Sequence, residues 1–246
     1  MSNVEESHTV IEGATSSVAS VLTLTRGTLL AGRYEITRLL GRGGAGVVVQ
    51  AHDRALDEDV AVKVLRPEHC GETRWIDRLA REVKLARQIR HANVCRVFDF
   101  GQADGHAFLV MELAVAGSLR DELDRGARAA RPLAARLTDA RAVADGLAAV
   151  HAAGIVHRDV TPQNVLRVSD GRLVVSDFGL ATDDDPTATS IHGGTVAYMA
   201  PEISRGESAS VASDVWALGV ILHEIVFGRR PSWRLGRFGL TMTATA

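Results

Sequence analysis

The chain has 246 residues, 46% apolar and 24% charged, which suits one large or two small globular domains and excludes a disordered or fibrous chain. Its 28 basic and 30 acidic side chains leave a net charge of −2, so no footprint for nucleic acid or an anionic membrane is expected. Two cysteines, Cys70 and Cys95, cannot build a disulfide framework and point to a reducing, cytoplasmic setting; neither a signal peptide nor a membrane segment is visible.

Residues 1–32 are rich in Ser, Thr and Glu without an apolar period, and read as a flexible leader or, alternatively, a short capping strand. From Arg33 short β-branched runs follow, Tyr34–Leu40, Gly46–Asp53 and Asp59–Leu65, separated by Gly- or Asp-rich breaks as in an antiparallel meander. Between Thr73 and Arg90 the residues Ile76, Leu79, Val83, Ala86 and Ile89 recur every three or four positions, which predicts an amphipathic helix. Cys95–Phe100 and His106–Leu113 read as two further strands. After Gly117 the pattern turns mainly helical, with helices predicted at Arg136–His151 and Ser213–Phe227. Between them, Val165–Val168 and Arg172–Ser176 are short strands joined by the turn Ser169-Asp170-Gly171. The tail 232–246 shows no obvious period.

Chemistry concentrates in three places. Gly41-Arg42-Gly43-Gly44-Ala45-Gly46-Val47-Val48 fits G-x-G-x-x-G-x-V. A dinucleotide fold needs a helix after the third glycine, and a Walker loop needs Gly-Lys-Ser/Thr; here the strand residues Val47–Val49 follow. That leaves a glycine hairpin able to close over nucleotide phosphates, or an ordinary turn. Lys63 sits on the next strand among Val, Ala and Leu, with Ala61 on the same face, in a chain whose only other lysine is Lys84. A compact ammonium suits phosphate oxygens in a tight cleft. Glu82, on the following helix, could pair with Lys63, or make only an i,i+4 surface pair. Finally His157-Arg158-Asp159, Asn164 and Asp177-Phe178-Gly179 fall in order on loops. The two short strands should return Asp177 beside Asn164, two oxygen ligands that suit Mg²⁺, with Asp159 free to accept a proton from a hydroxyl.

Together these motifs resemble the protein kinase family, and in particular the eukaryotic-like Ser/Thr protein kinases of bacteria. Ala200-Pro201-Glu202 and the run Ser213–Gly219 carry the resemblance onward, from Arg33 to about Pro231. It implies an α+β, bilobal fold: an antiparallel β-sheet N-lobe with one helix at 33–114 and a mainly helical C-lobe at 115–231. It also implies ATP and Mg²⁺ as cofactors and a protein substrate with a Ser/Thr acceptor, the chain itself included. Gly41, Arg42, Gly43, Gly44, Ala45, Gly46 and Val47 would then lie over the phosphates, and Lys63, paired with Glu82, would contact them. Leu40, Val48, Ala61 and Leu166 would enclose adenine, with Met111 as gatekeeper and Glu112 to Ala114 as hinge. Asp159 would be the catalytic base, and Asn164 and Asp177 the Mg²⁺ ligands. Thr195 would bond Asp159 and help select the acceptor. Arg158 would receive a phosphate placed on Thr187 or Thr189, or less favourably on Thr182 or Ser190.

Two departures qualify the resemblance. Where the family's Ser/Thr members carry a lysine two residues after the catalytic aspartate, this chain has Thr161. Losing one preorganised charge costs on the order of 10²-fold in rate. In addition, 232–246 is too short for the three helices that would complete a C-lobe, so a shortened lobe is expected. The helix Ser213–Phe227, apolar nearly all round, would then expose a surface prone to self-association. The alternative function is a nucleotide-binding pseudokinase or a non-productive interaction module.

Overall fold

Six strands built on alternating Val, Ile and Ala form the first half of the molecule. The computed structural model describes residues 24–43, 46–65, 73–103, 105–126, 131–178, 195–236 and 239–243. They divide into two units, one running to Arg87 and including Arg96–Leu113, the other made of Gln88–Cys95 and the chain from Ala114 onward.

In the first unit β1 (Leu29–Leu30), β2 (Tyr34–Gly43), β3 (Gly46–Asp53), β4 (Glu58–Leu65), β5 (Val97–Ala103) and β6 (His106–Met111) make one antiparallel sheet in the order β1-β2-β3-β4-β6-β5. Leu29 and Leu30 pair with Glu35 and Tyr34, so the end of the leader adds an edge strand. β4 lies inside the sheet, and Val60 to Leu65 are all buried. That explains why its sequence does not alternate apolar with polar. One face of the sheet packs Tyr34, Ile36, Val47, Val49, Val62, Val64, Phe108 and Val110 into a core. At the sheet edge Arg33 grips the buried Asp53 through two bonds of 2.8 and 2.6 Å. The Arg33 bond holds the Asp53 carboxyl below its ordinary value, against the upward push of burial.

The helix predicted from Thr73 to Arg90 is α1 (Thr73–Ala86) and stops four residues early. Tertiary bonding overrides the period there. Asn93 and Cys95 belong to the second unit, where the Asn93 carbonyl accepts from Val175 and the Cys95 N–H donates to Val175, both at 2.9 Å. Cys95 is therefore not part of the strand in which the sequence placed it.

The second unit contains α2 (Leu119–Asp124), α3 (Leu133–Ala152), the hairpin β7 (Val165–Arg167) and β8 (Leu173–Val175), α4 (Pro201–Ser204) and α5 (Val211–Phe227). Its core joins Val143 and Leu147 of α3, Val165 and Val175 of the hairpin, and Val220, Ile221 and Ile225 of α5. α5 begins two residues before the predicted Ser213, because Ser210 and Ser213 form a reciprocal capping box. It ends at Gly228, whose φ of +72° is left-handed. Its faces differ: Ile221 and Ile225 are fully buried, whereas Val211, Val215 and Phe227 are exposed. Arg167 of β7 reaches the buried acids Glu122 of α2, at 3.0 Å, and Asp139 of α3, at 3.2 Å.

The tail departs from expectation. Residues Ser232–Gly236 and Gly239–Thr243 form an antiparallel hairpin, β9 and β10, with Trp233 opposite Met242 and Leu235 opposite Leu240. In the sequence Trp233, Leu235, Leu240 and Met242 already recur with a period of two.

Candidate active site

The first unit supplies a glycine-rich strand pair and a buried lysine. Val48 faces Lys63 across the sheet, Lys63 faces Leu109, and Ala61 faces Met111. Directly opposed antiparallel residues share a face, so Val48, Ala61, Lys63 and Met111 line the side away from the unit's core. Lys63 is 7% exposed there. Val47 is the exception among the expected residues, because its side chain belongs to the core on the other face. Leu40 is half-buried at a bulge between Leu39 and Gly41, and Arg42, opposite Val47, is exposed. Glu82 lies half-buried on α1. Met111 ends β6, and the Glu112 N–H is committed to the Arg96 carbonyl at 2.9 Å.

The glycines separate into two kinds. A Cβ on Gly46 would sit 2.1 Å from the Val64 carbonyl oxygen, so the fold itself demands glycine there. At Gly41 and Gly43 a Cβ would meet nothing within 4 Å, and neither residue has a positive φ. Nothing among the described residues requires glycine at those two positions. Open space along this backbone fits close approach of a phosphate group. Gly44 and Ala45 lie outside the described residues.

The second unit assembles the loop residues. Val165 pairs with Val175, which sets Asn164 against Ser176, and the Ser176 N–H and Oγ both donate to the Asn164 carbonyl at 2.8 and 3.0 Å. This register brings Asp177 back beside Asn164, as the two strands implied. Asn164 Nδ2 donates to the Asp159 carbonyl and to Asp159 Oδ2, each at 2.8 Å. With its NH₂ group so used, the Asn164 amide oxygen is left as an acceptor. That oxygen and the Asp177 carboxylate are hard donors of the kind Mg²⁺ takes. Among the described residues no three His, Cys, Asp or Glu side chains cluster as a metal site. Leu166 lies half-buried on β7, Ala114 opens this unit's main segment, and Thr195 begins a 3₁₀ turn that ends at Tyr198. Gly179, Thr182, Thr187, Thr189 and Ser190 lie outside the described residues.

Backbone strain and a buried acid hold this loop. Arg158 and Asp177 have φ of 71° and 60°, left-handed values that cost non-glycine residues about 1–3 kcal/mol each. The compensation comes from Asp214, 2% exposed on α5. Its carboxylate accepts from the His157 N–H at 2.7 Å, the Arg158 N–H at 2.9 Å and His151 Nε2 at 2.8 Å. From the sequence neither Asp214 nor His151 was given a role at the site. An acid inside an otherwise apolar helix was the available signal. His157 is 1% exposed and packs edge-to-face on Phe178 at 6.2 Å. Burial pushes its pKa below the ordinary histidine value, with Asp214 and Asp159 opposing. The Asp159 N–H points at its Nδ1 from 3.4 Å, so the neutral ring carries its proton on Nε2. Thr161 is 3% exposed and gives its carbonyl to the Asn164 N–H at 3.0 Å.

Comparison with known proteins extends these observations. The family model for the protein kinase domain matches residues 34–239. Serine/threonine-protein kinase PknA of Mycobacterium tuberculosis is 38% identical over 213 residues, covering 83% of this chain and 49% of the relative. PknL of the same organism is 37% identical over 207 residues, covering 82% and 51%. PrkC of Bacillus subtilis is 35% identical over 210 residues, covering 83% and 32%. The chain thus spans about half or less of the length of these relatives. Among solved structures, the M. tuberculosis PknI kinase domain superposes with a TM-score of 0.66 at 28% identity, covering 85% of this chain and 79% of that one.

Proposed function

The chain belongs to the protein kinase family, and from that premise we propose that it transfers the γ-phosphoryl group of ATP to Ser/Thr hydroxyls, its own included. The observation that carries the reading is the Asp159–Asn164–Asp177 group. A carboxylate fixed by an amide lies beside a hard-oxygen pair, on a loop whose strained backbone is bonded to a buried acid.

In this reading Gly41, Gly43 and Gly46 leave backbone room for the phosphates. Lys63, held by Glu82, neutralises part of their charge. Leu40, Val48, Ala61 and Leu166 take the adenine, with Met111 and the backbone of Glu112 and Ala114 at its edge. Asn164 and Asp177 hold Mg²⁺, which supplies charge neutralisation at the transferring group. Asp159 accepts the proton of the acceptor hydroxyl through the oxygen that Asn164 steadies, and Thr195 selects that acceptor. Because this chemistry asks for positioning more than for covalent participation, a loop with few soft torsions suits it.

The second reading, a nucleotide-binding module without transfer, draws on Thr161. That side chain is neutral and almost fully buried where a lysine would place a charge. Pure protein incubated with ATP and Mg²⁺ and read by intact mass separates the two. The kinase reading expects 80-Da increments (one phosphoryl group in mass, about that of HPO₃) that vanish in Asp159→Asn. Nucleotide binding without mass gain would establish the module instead. Replacing Thr161 by Lys is expected to raise the rate, and an unchanged or lower rate would show that threonine is adapted to its site. Mass mapping of active protein is expected to place phosphate between Thr182 and Ser190.

A further inference from the structure

The helix α3 is apolar on two sides, and only one of them faces the core. Ala140, Val143, Leu147 and Val150 are buried. On the outer side Leu133 and Leu137, one turn apart, are 53% and 51% exposed, and the phosphoryl-transfer reading uses neither. Beside them runs a stripe of exposed residues, Ala134, Thr138, Arg141, Asp145, Ala148 and Ala152. Their spacing alternates between four and three, the seam along which one helix keeps contact with another over several turns. Thr138 is the uncharged polar member of the stripe, and its hydroxyl is spent on the Ala134 carbonyl at 3.0 Å. A face built for water accounts for Arg141 and Asp145. It does not account for two leucines beside them.

Along this face large apolar side chains come first, then a cation, then an acid, then small residues. Reversed, the order is small, acid, cation, large, which is what the same face presents when a second copy lies antiparallel. About a two-fold axis level with Val143, Arg141 stands opposite Asp145 of the second copy. In the same register Thr138 meets Ala148 and Ala134 meets Ala152, layers small enough for two helices to approach closely. Leu133 and Leu137 flank the seam at the level of Ala148 and Ala152 of the second copy, small residues that leave room for them. Large thus meets small, each charge meets its opposite, and every contact occurs twice. Within one copy Arg141 Nε already lies 3.3 Å from Asp145 Oδ2, yet the two side chains are 83% and 49% exposed. A guanidinium has five donors and a carboxylate about four acceptor sites, so both bond across the axis and keep that pair.

We propose that the outer face of α3 is an interface between two copies of this chain, paired antiparallel, with Arg141 of each bonded to Asp145 of the other. None of these residues belongs to the site, so pairing is independent of phosphoryl transfer. Two helices paired over about 27 Å bury less than a standard interface, and a Kd on the order of tens of micromolar is expected. The test is sedimentation equilibrium of the full chain from about 5 to 300 μM, which brackets that value. The wild type should pass from monomer to dimer and stop there, because a two-fold pair closes on itself. Arg141→Asp and Asp145→Arg change exposed positions and should keep the melting temperature. Each should weaken self-association by at least about tenfold, since like charges then face each other across the axis. An equimolar mixture of the two variants restores opposite charges at both places and should form a one-to-one dimer at wild-type strength. The double variant Arg141→Asp/Asp145→Arg should likewise pair with itself. A wild type that stays monomeric to the highest concentration, or that grows beyond a dimer, overturns the proposal. So do single variants that dimerise as the wild type does, and a mixture that stays monomeric.

Discussion

The two units place their functional side chains by different means. In the first, Lys63 stands on β4, and sheet register alone determines that it shares a face with Val48, Ala61 and Met111. In the second, Asp159 and Asn164 lie in the segment before β7 and Asp177 just after β8, so the β7–β8 register sets Asn164 against Ser176 but does not reach Asp159. Their positions depend on one buried carboxylate, Asp214, which binds two successive backbone N–H groups, and on a cross-hairpin bond from Ser176. A sheet tolerates replacement of a side chain that it merely displays. A loop tied by point bonds fails when a tie is cut.

The largest effect is therefore expected at Asp214. Asp214→Ala strands the N–H groups of His157 and Arg158 and removes the partner of His151. Losing a buried, fully bonded charge of this kind costs about 3–5 kcal/mol. Urea unfolding should show the midpoint falling with an unchanged slope, and phosphoryl transfer should be lost even where the chain is still folded. A loss below about 1 kcal/mol, the worth of one ordinary hydrogen bond, would erase the contrast between the units.

Next in size is a contrast inside the glycine strand pair. Gly46→Ala forces its Cβ against the Val64 carbonyl and should cost about 1–3 kcal/mol. Gly43→Ala meets open space and should leave the melting temperature within a degree or so, a change of less than about 0.5 kcal/mol. Its penalty should appear instead as weaker ATP binding. Equal melting temperatures for the two variants would show that the Val64 contact does not govern Gly46.

What could be read in advance follows the same division. β2, β3 and β4 were legible because period-two runs and glycine breaks are local signals. Lys63 stood out because the chain so seldom uses lysine. The order of Asp159, Asn164 and Asp177 was legible as a motif. Asp214 was not, because its partners lie 56 and 57 residues away in sequence. The same holds for Glu224, whose partner Arg120 is 104 residues off. The early end of α1 was hidden because residues 93–95 bond to β8, a tertiary fact that no helical period records. The β9–β10 hairpin was missed for a different reason. Trp233, Leu235, Leu240 and Met242 alternate around Gly236 and Gly239, but five-residue strands give few repeats to recognise.

Lys63→Met sharpens the comparison from the other side. The residue is 7% exposed in an all-buried stretch of β4, so an unbranched apolar side chain of similar length should fit. Removing the cation strands the acid that the kinase reading pairs with it, so the change should cost about 3 kcal/mol or less, Glu82 being only half-buried, and the chain should stay folded. Transfer of phosphoryl groups, read by intact mass, should nevertheless disappear. Near-normal turnover in this variant would remove Lys63 from the site.

The smallest effect at neutral pH is expected at His157, and it appears only on acidification. Burial lowers the pKa of this ring in the folded chain, while the unfolded chain keeps a value near 6.5. Between those two values the unfolded state binds a proton that the folded state refuses. Stability contributed by the neutral ring is thus fully present above about pH 6.5 and is lost as pH falls toward the lowered folded value. One such group contributes at most about 1.4 kcal/mol per pH unit. His157→Phe keeps an aromatic ring against Phe178 and has no proton to bind, so its melting temperature should fall less between pH 7 and pH 5 than that of the wild type. The neighbouring acids Asp214, Asp159 and Asp177 are present in both proteins, so the comparison between the two isolates the ring. Parallel melting curves for the two proteins across that interval would show that the ring is not held neutral, and that the loop tolerates a second cation beside Arg158.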